Sequence, residues 1–272
     1  MNWRAIKTIV RKDLKVVARS RGVLLPLILV PVIMLIALPA LAALAPAAAD
    51  LPVTPLAGLD SFIANMPPGL QAELAGLDEA QRWVVLALVY FLAPMYLIIP
   101  LMVASVIAAD SFAGEKERKT LEALLYTPTT DGELFLGKVL SAWLPAVGVA
   151  LGGFVLYGLV ANLAAWPVMG RVFFPNAMWL VLVLWVAPAV AGLGLGTMVL
   201  VSARARGFQE AYQLGGAVVL PLLLLVVGQA AGVMYFNVEL VLLLGLVLWA
   251  VDGALLWFGG RTFRRGELIA RL

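Results

Sequence analysis

Six apolar runs, each about the length a helix needs to cross a ~30 Å hydrocarbon core, alternate along this chain with short charged or proline-rich breaks. They fall at 23–45, 83–109, 139–163, 177–201, 211–234 and 239–259. Inside lipid every backbone N–H and C=O must find a partner within its own segment or a closed barrel, so runs of this length read as helices. A mean hydropathy of +1.02 with 13% charged residues lies outside the range of water-soluble domains. The expected fold is an all-α polytopic membrane protein, a single transmembrane domain over 1–272 with six transmembrane helices. Pro26, Pro31 and Pro39 in the first run and Pro94 and Pro100 in the second predict kinks whose freed carbonyls need neighbours. Gly215, Gly216 and Pro221 leave the fifth run open to two readings, a continuous span or a half-helix that re-enters the membrane.

Charge sets the expected orientation. With the amino terminus inside, the inner segments 1–22, 110–138, 202–210 and 260–272 hold 17 of the 19 Lys and Arg residues, and only Arg82 and Arg171 lie outside. Basic residues stay on the cytoplasmic side, which places both termini there. The basic balance follows from this topology, and nothing calls for a nucleic-acid partner.

Residues 1–22 carry Trp3, Ile6, Val10, Leu14 and Val17 at helical steps with basic residues between them. This is the pattern of an amphipathic interfacial helix that lies in the headgroup layer, with Trp3, Arg4, Lys7, Arg11 and Lys15 at the membrane surface. The basic start, the apolar run and Ala47-Ala48-Ala49 imitate a signal peptide, but both segments are too long for one. The outer loop 46–82 is rich in proline and acid. Leu70, Leu74 and Leu77 predict a short helix on the membrane surface, either a plain connector or a gate.

The chain has no cysteine and no histidine. Disulfides, thiolate chemistry and the usual neutral-pH proton carrier are therefore excluded, and no catalytic residue or metal site is expected. Inside the membrane, ionisable and polar residues are the functional suspects. Asp252 lies about 20 Å into the sixth run at 1.5 Å per residue, where it either lines a conduit or packs in a hydrogen-bonded interior. Gln229 and Asn162 add polar groups near the outer ends of the fifth and third runs. Small-residue pairs at Gly148/Gly152, Gly192/Gly196 and Gly228/Gly232 allow close helix approach, within one subunit or across a dimer seam.

The segment Ala108–Lys138 places ten acidic or basic groups between two apolar runs, so it belongs in water. Glu115, Lys116, Glu117, Arg118 and Lys119 followed by Leu121, Leu124 and Leu125 predict a short helix with an apolar stripe, ended at Thr127-Pro128. An apolar stripe in water calls for a covering surface. Gly132 to Val139 nearly spells a phosphate-binding P-loop, but Val139 stands where the magnesium-ligating Ser or Thr belongs, and no buried strand precedes it.

Ala109-Asp110, Gly114-Glu115-Lys116-Glu117-Arg118, Thr120-Leu121-Glu122, Leu124-Leu125, Thr127-Pro128 and Gly137-Lys138 resemble the cytoplasmic loop of ABC-2 type transporter permeases, especially the sodium-exporter-like NatB branch. The resemblance implies an exporter permease subunit in the plasma membrane of a prokaryote. Its partners would be two copies of a separate ATPase subunit, a second permease copy or paralogue, and membrane lipid. ATP and magnesium would sit on the ATPase, with no cofactor on this chain. It further implies that 110–138 holds the coupling element. Phe112, Glu115, Glu117, Arg118, Thr120, Leu121, Leu124 and Leu125 would then meet the ATPase, together with Arg204 and Arg206 of the next inner loop. An ion-coupled secondary transporter and a non-transporting scaffold are the rival readings.

Overall fold

A computed structural model describes residues 2–48, 63, 66–120, 129–231 and 233–262. They form helix α1 (Trp3–Arg19), six long apolar helices and a short helix α3 (Pro68–Leu74). The long helices are α2 (Leu24–Leu44), α4 (Glu79–Glu117), α5 (Asp131–Ala164), α6 (Ala177–Ser202), α7 (Phe208–Ala230) and α8 (Val238–Thr262), each long and apolar enough to cross a membrane. No strand occurs among the described residues. α4 and α6 form the centre and are buried along most of their length. α5 packs against α2, α4 and α6, α7 packs across both α4 and α6, and α8 packs on α6.

The helix starts are set by side-chain caps. Asp78 and Gln81 form a reciprocal capping box at α4, Thr130 and Glu133 another at α5, and Asn176 caps α6 through the Trp179 amide. Each supplies an acceptor for amides that have no partner in the first turn.

α4 differs most from the sequence expectation of 83–109. It runs for 39 residues, about 58 Å at 1.5 Å per residue, and so carries the first charged residues of the inner segment as its own last turns. It stops at Lys119, whose φ of 55° is left-handed, with Thr120 N bonded to Glu115 O and Lys119 N to Lys116 O. That is a Schellman ending built on a lysine instead of glycine. The separate helix expected from Glu115 to Leu125 is therefore replaced, as far as Lys119, by the end of α4. Leu121 to Pro128, including the expected stop at Thr127-Pro128, lie outside the described residues. α5 likewise begins at Asp131, eight residues before the expected 139.

Three of the prolines are accommodated by widened turns, while Pro26 and Pro31 lie within the α-helical part of α2. Pro39, Pro94 and Pro188 each follow a five- or six-residue π-turn, at Ile33–Ala37, Leu86–Phe91 and Leu182–Val186. In each case the carbonyl four residues before the proline, which an α-helical proline ring would strike and leave unbonded, lies inside the π-turn. Side chains then take up carbonyls of these stretches. Tyr157 Oη donates to Leu88 O at 2.6 Å, Trp179 Nε1 to Val89 O at 2.8 Å, and Trp249 Nε1 to Trp185 O at 3.2 Å. At the end of α2, Trp83 Nε1 serves Ala42 O, the carbonyl four residues before Pro46, at 2.9 Å. In α7 the doubtful glycines tighten into a 3-10 turn at Gly216–Val219, and the helix continues to Ala230 as one 23-residue span.

α3 buries Leu70 and Leu74 against the bundle, so its apolar side is spent on protein. Gly192 and Gly196 lie against Asp252 and Leu255 of α8, which is packing within one subunit. Among the described residues, nothing lies within 4 Å of a Cβ placed on Gly148 or Gly152.

Candidate functional site

The charged ends of α1, α4 and α5 meet in one junction. α1 turns Ile6, Ile9, Asp13 and Val17 inward, a stripe at steps of three and four residues. Ile9 rests on Gly137, where a Cβ would approach Ile9 Cγ2 to 3.0 Å. This close approach brings Asp13 into the interior. Asp13 Oδ2 accepts from Ser111 Oγ at 2.7 Å and from Ser141 Oγ at 3.0 Å. Lys138, fully buried, donates to Ser111 O and to Glu115 Oε2, both at 2.5 Å, and stands 4.0 Å from Asp13 Oδ2. Lys12 reaches in from the surface to Asp13 at 3.1 Å and to Glu115. Two carboxylates and two ammonium groups thus neutralise one another, with both serine hydroxyls donating to Asp13 Oδ2. The start of α1 is fastened as well, since Asn2 N donates to Glu133 Oε1 at 2.5 Å.

The titration shifts follow from this geometry. Burial works against the ionised form of Asp13, but the charges of Lys138 and Lys12 and the Ser111 hydroxyl outweigh it and hold the carboxyl below its ordinary value. Burial likewise opposes the charge on Lys12, and the hydrogen bond and charge of Glu115, with Asp13, push its pKa above the ordinary value. Burial also opposes the charge on Arg118, but Asp110, bonded at 2.9 Å, holds it charged.

The same junction contains a fourth π-turn, Asp110–Gly114, with no proline after it. Here cations occupy carbonyls of the turn: Lys138 Nζ on Ser111 O at 2.5 Å and Arg118 Nη2 on Asp110 O at 3.3 Å. At the other three π-turns a proline removes the α-helical alternative; here ionic side chains stabilise the wide turn.

Around this core runs an exposed rim. Glu117, Arg118 and Thr120 are exposed at the end of α4, and Arg204 and Arg206 in the loop before α7. The two stretches are tied together: Lys116 Nζ donates to Ala205 O at 3.2 Å, and Phe208 N donates to Glu117 Oε2 at 2.9 Å. Gly207 passes close to that carboxylate, and a Cβ there would meet Glu117 Oε2 at 2.6 Å.

Several expected site residues sit elsewhere than the sequence reading put them. Phe112 and Glu115 are buried inside the junction and present no face to an incoming partner. Leu121, Leu124 and Leu125 lie outside the described residues. Trp3, Arg4, Lys7, Arg11 and Lys15 are all exposed on α1, while its buried stripe packs on α5. Asn162 braces the chain where α5 meets the segment before α6. Its Nδ2 donates to Gly158 O and Phe174 O, both at 2.8 Å, and its Oδ1 accepts from the Phe173 and Phe174 amides. Gln229 and Asp252 are buried, and their side-chain polar atoms have no hydrogen-bond partner among the described residues. Asp252 presses on Gly192 at the α6–α8 seam, where a Cβ would come within 2.3 Å of Oδ2.

Sequence reasoning missed Asp13, Ser111 and Ser141, and took Lys138 for an end marker of the third span. The signal for Asp13 was present: it falls on the apolar register of Ile6, Ile9 and Val17, the wrong face for a solvated acid. The P-loop look-alike is the first two turns of α5. Its glycine serves contact with Ile9 and its lysine serves Glu115, so neither is arranged to cradle a phosphate.

A sequence model of the family described as ABC-2 family transporter protein matches residues 7–247. Over 56 residues, 21% of this chain, the sequence is 45% identical to the ABC transporter permease protein NatB of Bacillus subtilis (strain 168). That stretch covers 14% of the relative's length.

Proposed function

The chain belongs to the ABC-2 transporter family, a multi-pass membrane permease subunit, and from that premise we propose that it exports a substrate using ATP hydrolysed by a separate subunit. In this reading the junction end of the bundle faces the cytoplasm of a prokaryote, where 17 of the 19 basic residues then lie. Two permeases pair with two ATPases, which hold ATP and magnesium. α1 rests at the inner membrane surface, with Trp3, Arg4, Lys7, Arg11 and Lys15 toward lipid headgroups.

The observation that carries the reading is the tie between the two inner segments. Glu117, Arg118 and Thr120, with the adjoining Leu121, Leu124 and Leu125, form one half of the docking surface, and Arg204 and Arg206 form the other. Phe112 and Glu115 lie beneath it as support. A push on this rim passes through Glu117 to the start of α7. Through Glu115, Lys138 and Asp13 it passes to α5 and α1. The rim charges set the orientation of the partner more than its affinity. On the transport side Asp252 and Gln229 are the pathway candidates, because a buried polar group without a partner is costly unless something else uses it.

The test is co-purification of the ATPase with the full-length permease, wild type against Arg204→Glu/Arg206→Glu and against Leu121→Ser/Leu125→Ser. Release of the ATPase by these variants is the expected result. An ATPase that stays bound and fully coupled in both refutes this surface. Ion-coupled transport, which rests on Asp252 alone, would instead leave export intact when the ATPase is absent.

A further inference from the structure

At the end of the bundle opposite the α1 junction lies a cavity of about 470 Å³, within the size range of small-molecule sites. Its walls come from α3, the start of α4, the start of α6, and the segment leading into α8. Most of the lining is apolar or aromatic, including Leu70, Met178 and Phe236, with Tyr90 and Tyr235 adding rings.

Among the described residues Glu73 is the one charged group in that wall. It is exposed, and its Oε2 accepts from Tyr90 Oη at 2.7 Å. That hydrogen bond orients the carboxylate without neutralising it, and no cation of the described residues lies within ion-pair distance of Glu73. Asn176 and Asn237, the other polar residues in the wall, turn their side-chain oxygens to the Trp179 and Leu240 amides, as caps of α6 and α8. The carboxylate is therefore the group able to balance a positive charge in the cavity. A bare metal ion is a poor match, because one carboxylate cannot supply the six or more oxygens a hard cation takes. A cation with an apolar body satisfies both features, its charge beside Glu73 and its body against the aromatic and aliphatic wall.

We propose that this cavity is a binding site for amphiphilic organic cations, with Glu73 as its counter-ion and Tyr90 as the group that holds Glu73 in place. The site depends on neither the ATPase nor the direction of transport, so its failure and the failure of the docking reading are separate events.

The experiment is ethidium binding to the purified full-length protein in detergent, followed by fluorescence anisotropy, with tetraphenylphosphonium as competitor. Glu73→Gln should weaken ethidium by about fivefold, the scale of a partly solvated ion pair. Glu79→Gln, which removes an exposed charge nearby but outside the cavity wall, should leave binding unchanged. Glu73→Lys should abolish ethidium binding and admit the anionic probe anilinonaphthalene sulfonate. Equal weakening by Glu73→Gln and Glu79→Gln would reduce the effect to surface charge and overturn the proposal. So would unchanged binding in Glu73→Gln, or anilinonaphthalene sulfonate displacing ethidium from the wild type.

Discussion

Replacing Lys138 with methionine removes the ammonium group at the centre of the α1–α4–α5 junction while keeping much of its apolar bulk. Glu115 and Asp13 would then face each other across a buried space with Lys12 as the remaining cation, and Ser111 O would lose its 2.5 Å donor. Removing one partner of a buried ion pair costs about 3–5 kcal/mol. Lys12 is partly solvated but touches both carboxylates, which puts the expected cost near the lower bound, about 3 kcal/mol. Lys12→Met, at the solvated edge of the same cluster, should cost about 1 kcal/mol. Unfolding of the purified protein by SDS in mixed micelles measures both. A cycle with Glu115→Gln adds the decisive number: because Glu115→Gln removes the charge that Lys138 leaves stranded, the double variant should recover about 1 kcal/mol or more relative to additivity. Equal losses for Lys138→Met and Lys12→Met, together with a coupling near zero, would show that the junction is not organised around Lys138 and refute this account.

Gly192→Ala should destabilise the protein by about 1–3 kcal/mol, because the new methyl lands 2.3 Å from Asp252 Oδ2; Asp252→Ala in the same chain should restore stability in the same unfolding assay. Asp252→Asn should lower transport in proteoliposomes with folding retained; unchanged transport would remove Asp252 from the pathway. Tyr157→Phe should cost about 1–2 kcal/mol by leaving the buried Leu88 carbonyl without its donor, read as a lowered unfolding midpoint. For pH, Asp13 is depressed, so its contribution is present above its ordinary 3.8 and lost as pH falls through the lower folded value. Lys12 is raised, so its contribution is present below 10.5 and lost only as pH climbs through the higher folded value. The stability gap between wild type and Asp13→Asn should therefore be flat from about pH 5 to 9, and a step within that window would contradict the assignment.

The spans were readable from the sequence because twenty apolar residues in a row admit few structures, and α2, α6 and α8 end within three residues of where hydropathy put them. The helix ends at the α1 junction were less readable. Charge alone placed 110–138 in water, but α4 keeps its helix through Glu117 because α1 and α5 supply Lys12 and Lys138 to its last turns, from 103 and 23 residues away along the chain. No local pattern reports such contacts. Asn162 shows a related limit: its residue type and its place near a span end were readable, but its hydrogen bonds to the backbone of Phe173 and Phe174 were not. The π-turns escaped because hydrophobic periodicity assumes 3.6 residues per turn throughout.

That assumption has a further cost at Pro94. An i→i+5 turn holds one residue more than an α-turn, so everything after it on the helix is rotated by about 100° relative to an unbroken α-helix, one residue's share of a 3.6-residue turn. The faces that α4 shows to α6 below Pro94 are correct only with that extra residue in place. Deleting one residue from 86–91 would turn the whole lower half of α4, ion-paired end included, away from its partners. The same deletion made together with Pro94→Leu would fare no better, because the lost rotation, and not the proline, is what α6 and α1 depend on. The proline marks the position of an insertion that the rest of the chain has been fitted around.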